Sequence, residues 1–174
     1  LHAFNAGYYM PKDQQFLPAF PDLPLPDEGQ PYTYATNVPY DLGAEMWMYI
    51  PKSALPHLKW RTDADYNHVY YVDLKPYIFD AKIFDPNDGN HPGGWGTVLV
   101  GGMRFGGGDI GVNTDGVAGD DEILRSSYFA FDITNPENPP VLLGEFSDPA
   151  LGYSLASPTA IPLLRCDKNT LEGQ

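Results

Sequence analysis

The sequence has almost no cysteine. Cys166 stands alone in 174 residues, so there is no internal disulfide framework, and neither paired-cysteine zinc spacing nor a Cys-x-x-Cys motif can be built. A lone thiol of this kind is expected to be buried as a small apolar group. Basic residues are scarce as well: ten Lys and Arg against 23 Asp and Glu leave a net charge of −13. That balance argues against nucleic acid or an anionic membrane as partner, because phosphate recognition needs clustered cations. It suits a solubilising surface, or one that draws divalent cations or basic partners. There is no 18-residue apolar run, so no membrane insertion is expected, and no signal-peptide pattern. No window sustains an apolar period of 3.6 with caps at both ends, which argues against long helices. His2, His57, His68 and His91 show no zinc-protease spacing, and no Gly-x-Ser-x-Gly nucleophile elbow occurs. Each histidine reads as a surface or loop residue.

What the chain has in quantity is turns and strand formers. Eighteen Gly and 18 Pro are about a fifth of it, beside 43% hydrophobic residues, a balance that predicts one all-β domain with a real core. The organising stretch runs from Trp95 to Pro136. Trp95-Gly96-Thr97-Val98-Leu99-Val100-Gly101-Gly102 reads as a buried strand ending in a glycine-rich turn. Ser127-Tyr128-Phe129-Ala130-Phe131-Asp132-Ile133 reads as its antiparallel partner, stopped by Asn135-Pro136. An acidic insertion, 109–122, lies between them. Trp95, Val98, Val100, Tyr128, Phe129, Phe131 and Phe146 are the expected core.

Upstream, Leu1–Asn5 and Glu45–Pro51 read as strands, and Ser53–Leu58 as one helical turn begun by Ser53. Residues 70–84 read as two strand segments about Pro76. The second is apolar on both faces and so is expected to be covered on both. Downstream, 143–148 reads as a short edge strand, and 155–161 as the opening of a further unit. Residues 8–43 break the pattern. Seven prolines between positions 11 and 39 predict a long surface loop without helix or central strand. Phe16, Leu17, Phe20, Leu23, Leu25, Tyr32, Tyr34 and Tyr40 would pin it, with a recognition loop as the functional alternative.

Ala3-Phe4-Asn5 echoes Ala130-Phe131-Asp132, which suggests an internal repeat. The order of a strand preceded by Pro, the Val-Leu-Val-Gly-Gly strand, the Ala-Phe-Asp strand and a short edge strand is that of a propeller blade. The expectation is therefore a fragment of a β-propeller across 1–174, about one and a half to two four-stranded antiparallel blades. One complete blade would occupy 70–148, with a Pro/Tyr-rich insertion loop at 8–43. Such a portion cannot close a ring, so the rest of its own propeller is an expected partner. Because the chain opens in mid-strand, the missing signal peptide says little about compartment.

These residues also carry a family resemblance. The run from Gly93-Gly94-Trp95 through Tyr128-Phe129-Ala130-Phe131-Asp132 to Ala160-Ile161 is similar to the C-terminal propeller domain of the PilY1-like type IV pilus tip and biogenesis proteins. So are Leu1–Asn5, Glu45–Lys59 and Tyr70–Phe84. The match spans most of 1–5 and 45–164 and leaves 8–43 unexplained. The resemblance implies a non-enzymatic, extracellular or cell-surface module associated with type IV pili. It implies minor pilins and surface or host ligands as partners, a role in adhesion, and calcium dependence. Two rival readings belong to other classes. One is a quinoprotein oxidoreductase, which shares the propeller architecture and would need a quinone. The other is a stand-alone glycan-binding β domain.

In the acidic insertion, Asn113, Asp115, Asp120 and Glu122 are spaced by glycines, as oxygen donors for calcium often are. Asn113, Asp115, Gly116 and Glu122 fall where a helix-loop-helix calcium loop places positions 3, 5, 6 and 12, but Gly111 stands at position 1 and no helices flank it. The family's denser Asp/Asn calcium repeat is not found here, so its ligands are not carried over. Gly101–Gly108 lacks the Lys-Ser/Thr of a phosphate-binding loop. Arg104 is expected to pair with an acid. A carboxylate pair could be drawn from Asp73, Asp80 and Glu145, with little weight among so many acids.

Overall fold

The computed structural model describes residues 1–18, 30–31, 40–113, 115–119, 121–136 and 138–161. These form an all-β arrangement of short antiparallel strands with little helix. The largest sheet has four strands, β5 (Tyr77–Lys82), β6 (Trp95–Gly102), β9 (Tyr128–Asp132) and β10 (Val141–Phe146), hydrogen-bonded in the order β10-β9-β6-β5. Neighbours in the sheet follow chain order, with the 103–127 segment inserted between β6 and β9, so the sheet is an antiparallel meander carrying one insertion. The expected hairpin is its centre: Leu99 faces Phe131 and Gly101 faces Phe129. Gly101 is required there, because a Cβ would collide with the Phe129 ring.

A second sheet pairs β1 (His2–Phe4) with β4 (Glu45–Met48). It approaches the larger sheet through Trp47 and the following Tyr49. The Tyr49 ring meets Phe131 edge-on at 4.7 Å and Phe129 at 5.2 Å, and Trp47 lies 6.0 Å from Phe131. Leu99, Phe129 and Phe131 are the buried heart of this contact, with Leu1, Val72 and Ile133 around it. Phe129 and Phe131 are 1% and 2% exposed, so each contributes a full side-chain burial of roughly 1.5–3 kcal/mol.

Several expectations are corrected. Trp95 and Phe146 are more than half exposed, not core. Alternation on β6 puts Trp95 at the strand's first position, beyond the packed centre, and Phe146 ends an outer strand. Strand β5 is also an outer strand, and its Tyr77 and Ile78 are open to solvent rather than covered on both faces. Residues 70–74 form no strand, and the strand begins only after Pro76. Instead of one turn begun by Ser53, a 3₁₀ helix runs over Lys52–Thr62 behind Pro51. Ser53 is buried and bonded elsewhere. Residues 155–161 form no strand; the segment meets the sheet through a β-bridge between Arg104 and Ser154 and through the Tyr128 hydroxyl, which donates to the Ala156 carbonyl at 2.8 Å.

Within 8–43 a short hairpin appears that the prolines did not announce. Strand β2 (Tyr8–Met10) pairs with β3 (Gln15–Leu17), burying Met10 and Leu17. Phe16 is exposed and packs at 5.2 Å on Tyr9. Phe20, Leu23, Leu25, Tyr32 and Tyr34 lie outside the described residues, as does Cys166. Inside the acidic insertion β7 (Ile110–Val112) and β8 (Glu122–Leu124) form another small hairpin.

Candidate functional site

The acidic tip between β7 and β8 is shaped by its own side chains. Asn113 Oδ1 accepts from Gly116 N–H at 2.5 Å and its Nδ2 donates to the Val117 carbonyl at 2.7 Å. Asp115 Oδ1 accepts from Val117 N–H at 2.9 Å. Glu122 receives both its short contacts, 2.6 and 2.7 Å, from the Lys52 ammonium. Asp120 lies outside the described residues. Among the described donors, Asn113 and Asp115 thus serve turn backbone and Glu122 an ion pair. No group of three or more His, Cys, Asp or Glu side chains able to hold a metal is gathered among the described residues.

Of the carboxylates considered as an acid-base pair, Asp80 and Glu145 lie on opposite edges of the sheet. Asp80 on β5 accepts from the Thr97 hydroxyl at 2.8 Å. Glu145 sits on β10 at the other edge of the sheet, three strand spacings or roughly 14 Å away. Asp73 pairs with Arg104 at 3.6 Å, which gives that arginine the acidic partner expected of it. The Arg104 guanidinium also lies over the Phe105 ring, 4.9 Å from its centre.

Two polar clusters were not singled out in the sequence. The first gathers the buried Ser53, Ser126, Ser127 and Ser154, just ahead of β9, beside the exposed Glu145 of β10. Glu145 Oε1 accepts from Ser127 at 2.8 Å and Ser53 at 3.2 Å, while Oε2 accepts from the Tyr49 hydroxyl at 3.1 Å. Burial first, then the neighbouring Glu145 charge and hydrogen bond, push the Tyr49 hydroxyl far above its ordinary range. Beside them Ser154 Oγ accepts from the Met103 and Arg104 N–H groups at 3.0 and 2.9 Å, and shares a hydrogen bond with Ser126. No imidazole joins these serines among the described residues; their hydroxyls turn to the Glu145 carboxylate and to one another. The cluster ties the 3₁₀ helix, β10 and the segment at 154 to one strand.

The second cluster is centred on His91. Its Nδ1 lies 2.7 Å from Asp88 and its Nε2 2.8 Å from Asp132, and its ring stacks on Phe84 at 4.0 Å. A neutral imidazole donates from one nitrogen only, so two facing carboxylates require the protonated ring. The Asp88 hydrogen bond foremost, then those of Asp132, raise the His91 pKa against the opposing effect of burial. Asp88 is lowered by the Asn90 N–H and by His91. Burial alone would raise Asp132, but the Thr134 hydroxyl and N–H together with His91 bring it below the usual range. The sequence signal was present in outline, as Asp88 three residues before His91 in a turn. Its third member comes from another strand, 41 residues on.

The chain is 32% identical over 128 residues to a type IV pilus biogenesis factor PilY1 homolog of Xylella fastidiosa, covering 71% of this chain and 7% of that protein. It is 31% identical over 126 residues to the type IV pilus biogenesis factor PilY1 of Pseudomonas aeruginosa, covering 70% of this chain and 9% of the other. The chain therefore spans less than a tenth of the length of these curated relatives. No protein-family model and no solved structure matches it. Over about 70% of its length, the chain resembles a segment of the type IV pilus biogenesis factor PilY1.

Proposed function

We propose that this chain is a piece of the β-propeller of a PilY1-like type IV pilus biogenesis factor. It would act as a non-enzymatic module outside the cell or at its surface, in contact with minor pilins and with surface or host ligands. The observation that carries this reading is the similarity to proteins named as pilus biogenesis factors across some 70% of the chain. The structure lends physical support. Strand β10 is exposed at all six positions despite the apolar run Val141-Leu142-Leu143, and an apolar outer strand of this kind calls for a covering neighbour. A four-stranded meander that leaves such a strand bare suits a blade awaiting the next one. Among the described residues no helix is long and apolar enough to cross a membrane.

The test is genetic. Deleting the segment equivalent to residues 45–161 from the pilus factor that carries it should abolish surface pili and twitching motility. Restoring the segment should restore both. Normal piliation in the deletion strain, with the truncated factor still present, would overturn the assignment.

Calcium at the acidic tip is a separate proposal. Coordination would require Asn113 and Asp115 to release turn backbone and Glu122 to release Lys52, so affinity should be no tighter than about 0.1–1 mM. Millimolar calcium should raise the melting temperature, and the double variant Asp115→Ala with Glu122→Ala should lose that response. A wild type indifferent to calcium would leave the tip as a solvated turn.

A further inference from the structure

We propose that the groove formed where the 3₁₀ helix ends and the chain turns back, lined by Trp60, Asp63, Asp65, Tyr66, Asn67 and Val69, is a binding site for a neutral saccharide. Its volume is about 250 Å³. That is below the roughly 300–1,000 Å³ of sites for drug-sized ligands and cofactors, and suits one or two sugar rings.

The wall is half aromatic and half hydrogen-bonding. Trp60 and Tyr66 line it with about two-fifths of their surface open, aromatic rings of the kind on which the C–H side of a pyranose packs. Both are held in place. The buried His57 meets Trp60 edge-on at 5.1 Å, and the Tyr66 hydroxyl accepts the Val69 N–H at 3.2 Å. The loop's internal needs are met by Asp63 Oδ1, which takes the Asp65 N–H at 3.0 Å, and by Asn67 Nδ2, which donates to the Asp65 carbonyl at 3.3 Å. The Asp65 carboxylate and Asn67 Oδ1 have no hydrogen-bond partner among the described residues. Both residues line the groove, and their acceptors are the complement of vicinal hydroxyls.

Charge narrows the ligand class. Lys59 and Arg61 occupy the last turn of the helix but do not line the groove, whereas two aspartates do. Phosphate, sulfate and uronate groups would meet repulsion, and among the described residues no third acid or histidine joins the pair to hold a metal. An uncharged polyol with an apolar face satisfies both halves of the wall. The site is independent of the pilus assignment.

The full chain should be titrated by calorimetry, and by NMR of the Trp60 indole and Asn67 amide, with maltotriose, cellotriose, chitotriose, mannotriose and lactose. At least one should bind and shift both resonances. Trp60→Ala and Asp65→Ala should each weaken it roughly tenfold or more, as removing a central anchor does. Ile123→Ser, at an exposed position on β8, should leave it unchanged. Should Trp60→Ala not fold, the exposed Asp65→Ala decides. No binding by any of the five sugars, binding that survives the groove substitutions, or equal shifts produced by sodium sulfate or calcium chloride would overturn the proposal.

Discussion

At the scale of single residues, Asn5 and Asp132 do the same work in two places. Each ends an Ala-Phe strand, and each accepts the backbone N–H of the residue two positions on: Gly7 at 3.0 Å and Thr134 at 2.9 Å. Asn5 goes further, donating to the Pro18 carbonyl at 2.8 Å and the Tyr40 carbonyl at 2.9 Å, and so stitches both ends of the proline-rich excursion to β1. Asn5→Ala removes three hydrogen bonds at once and should cost about 1–3 kcal/mol, measured by urea unfolding; no loss would mean that the excursion is held elsewhere. Asp132 instead holds His91, and that pairing sets a pH window. The folded His91 pKa is raised, so its stabilisation is complete below the unfolded value near 6.5 and fades as pH climbs through the folded value. Those of Asp88 and Asp132 are lowered, so theirs is complete above about 4 and fades as pH falls. The melting temperature should therefore peak between roughly pH 4 and 6.5. His91→Gln should flatten the alkaline limb, and a wild-type profile that keeps rising above pH 7 would refute the doubly paired ring. Little of this was legible beforehand: the sequence shows an Ala-Phe-Asn/Asp echo, but not that the third residue is a turn-maker, nor that a histidine 41 positions earlier comes to it.

At the scale of elements, what the sequence revealed depended on whether a strand's surroundings were local. β6 and β9 are flanked on both sides within the chain, so their apolar runs meant burial, and Val98, Phe129 and Phe131 are buried as expected. β5 and β10 carry comparable runs but lie at the sheet's edges. Apolar content there reports an affinity for cover without saying that cover is at hand, which is why the sequence alone points Phe146 to the core. The β2–β3 hairpin was hidden for the opposite reason: its strands are three residues each and fit between prolines, where only a longer strand would be excluded. Two consequences follow for these elements. Phe131→Ala should cost about 3–5 kcal/mol, since the ring is packed by Trp47, Tyr49 and Phe129 with no room to collapse; a loss under about 1 kcal/mol would contradict the packing. Amide exchange should be slowest in β6 and β9, which are hydrogen-bonded on both sides, and fast at the outward N–H groups of β10. Uniform protection across all four strands would mean that β10 is already paired in solution.

At the scale of the whole molecule, the two sheets repeat one device. β1 pairs with β4 as β9 pairs with β10, both antiparallel, both with a register irregularity, and the connection that is a short turn in one is the 40-residue excursion between Phe4 and Glu45 in the other. The first pair packs its aromatic side onto the face of the four-stranded sheet, and nothing among the described residues does the same for β10. If the molecule is built by stacking such units, each contributes a face to the next, and stability grows with the number of filled interfaces. The chain by itself should then be marginal. Its exposed apolar strand at β10 should also drive concentration-dependent association, because unpaired N–H and C=O groups beside apolar side chains are a template for another strand. Urea unfolding of the 174-residue chain, set beside the larger propeller proposed for it and followed at several concentrations with sedimentation, separates these effects. The expected result is a lower midpoint for the chain, with self-association that Leu142→Lys suppresses through charge on the outer strand. Equal midpoints from a strictly monomeric chain would mean that it completes its own core, and the bare strand would need another explanation.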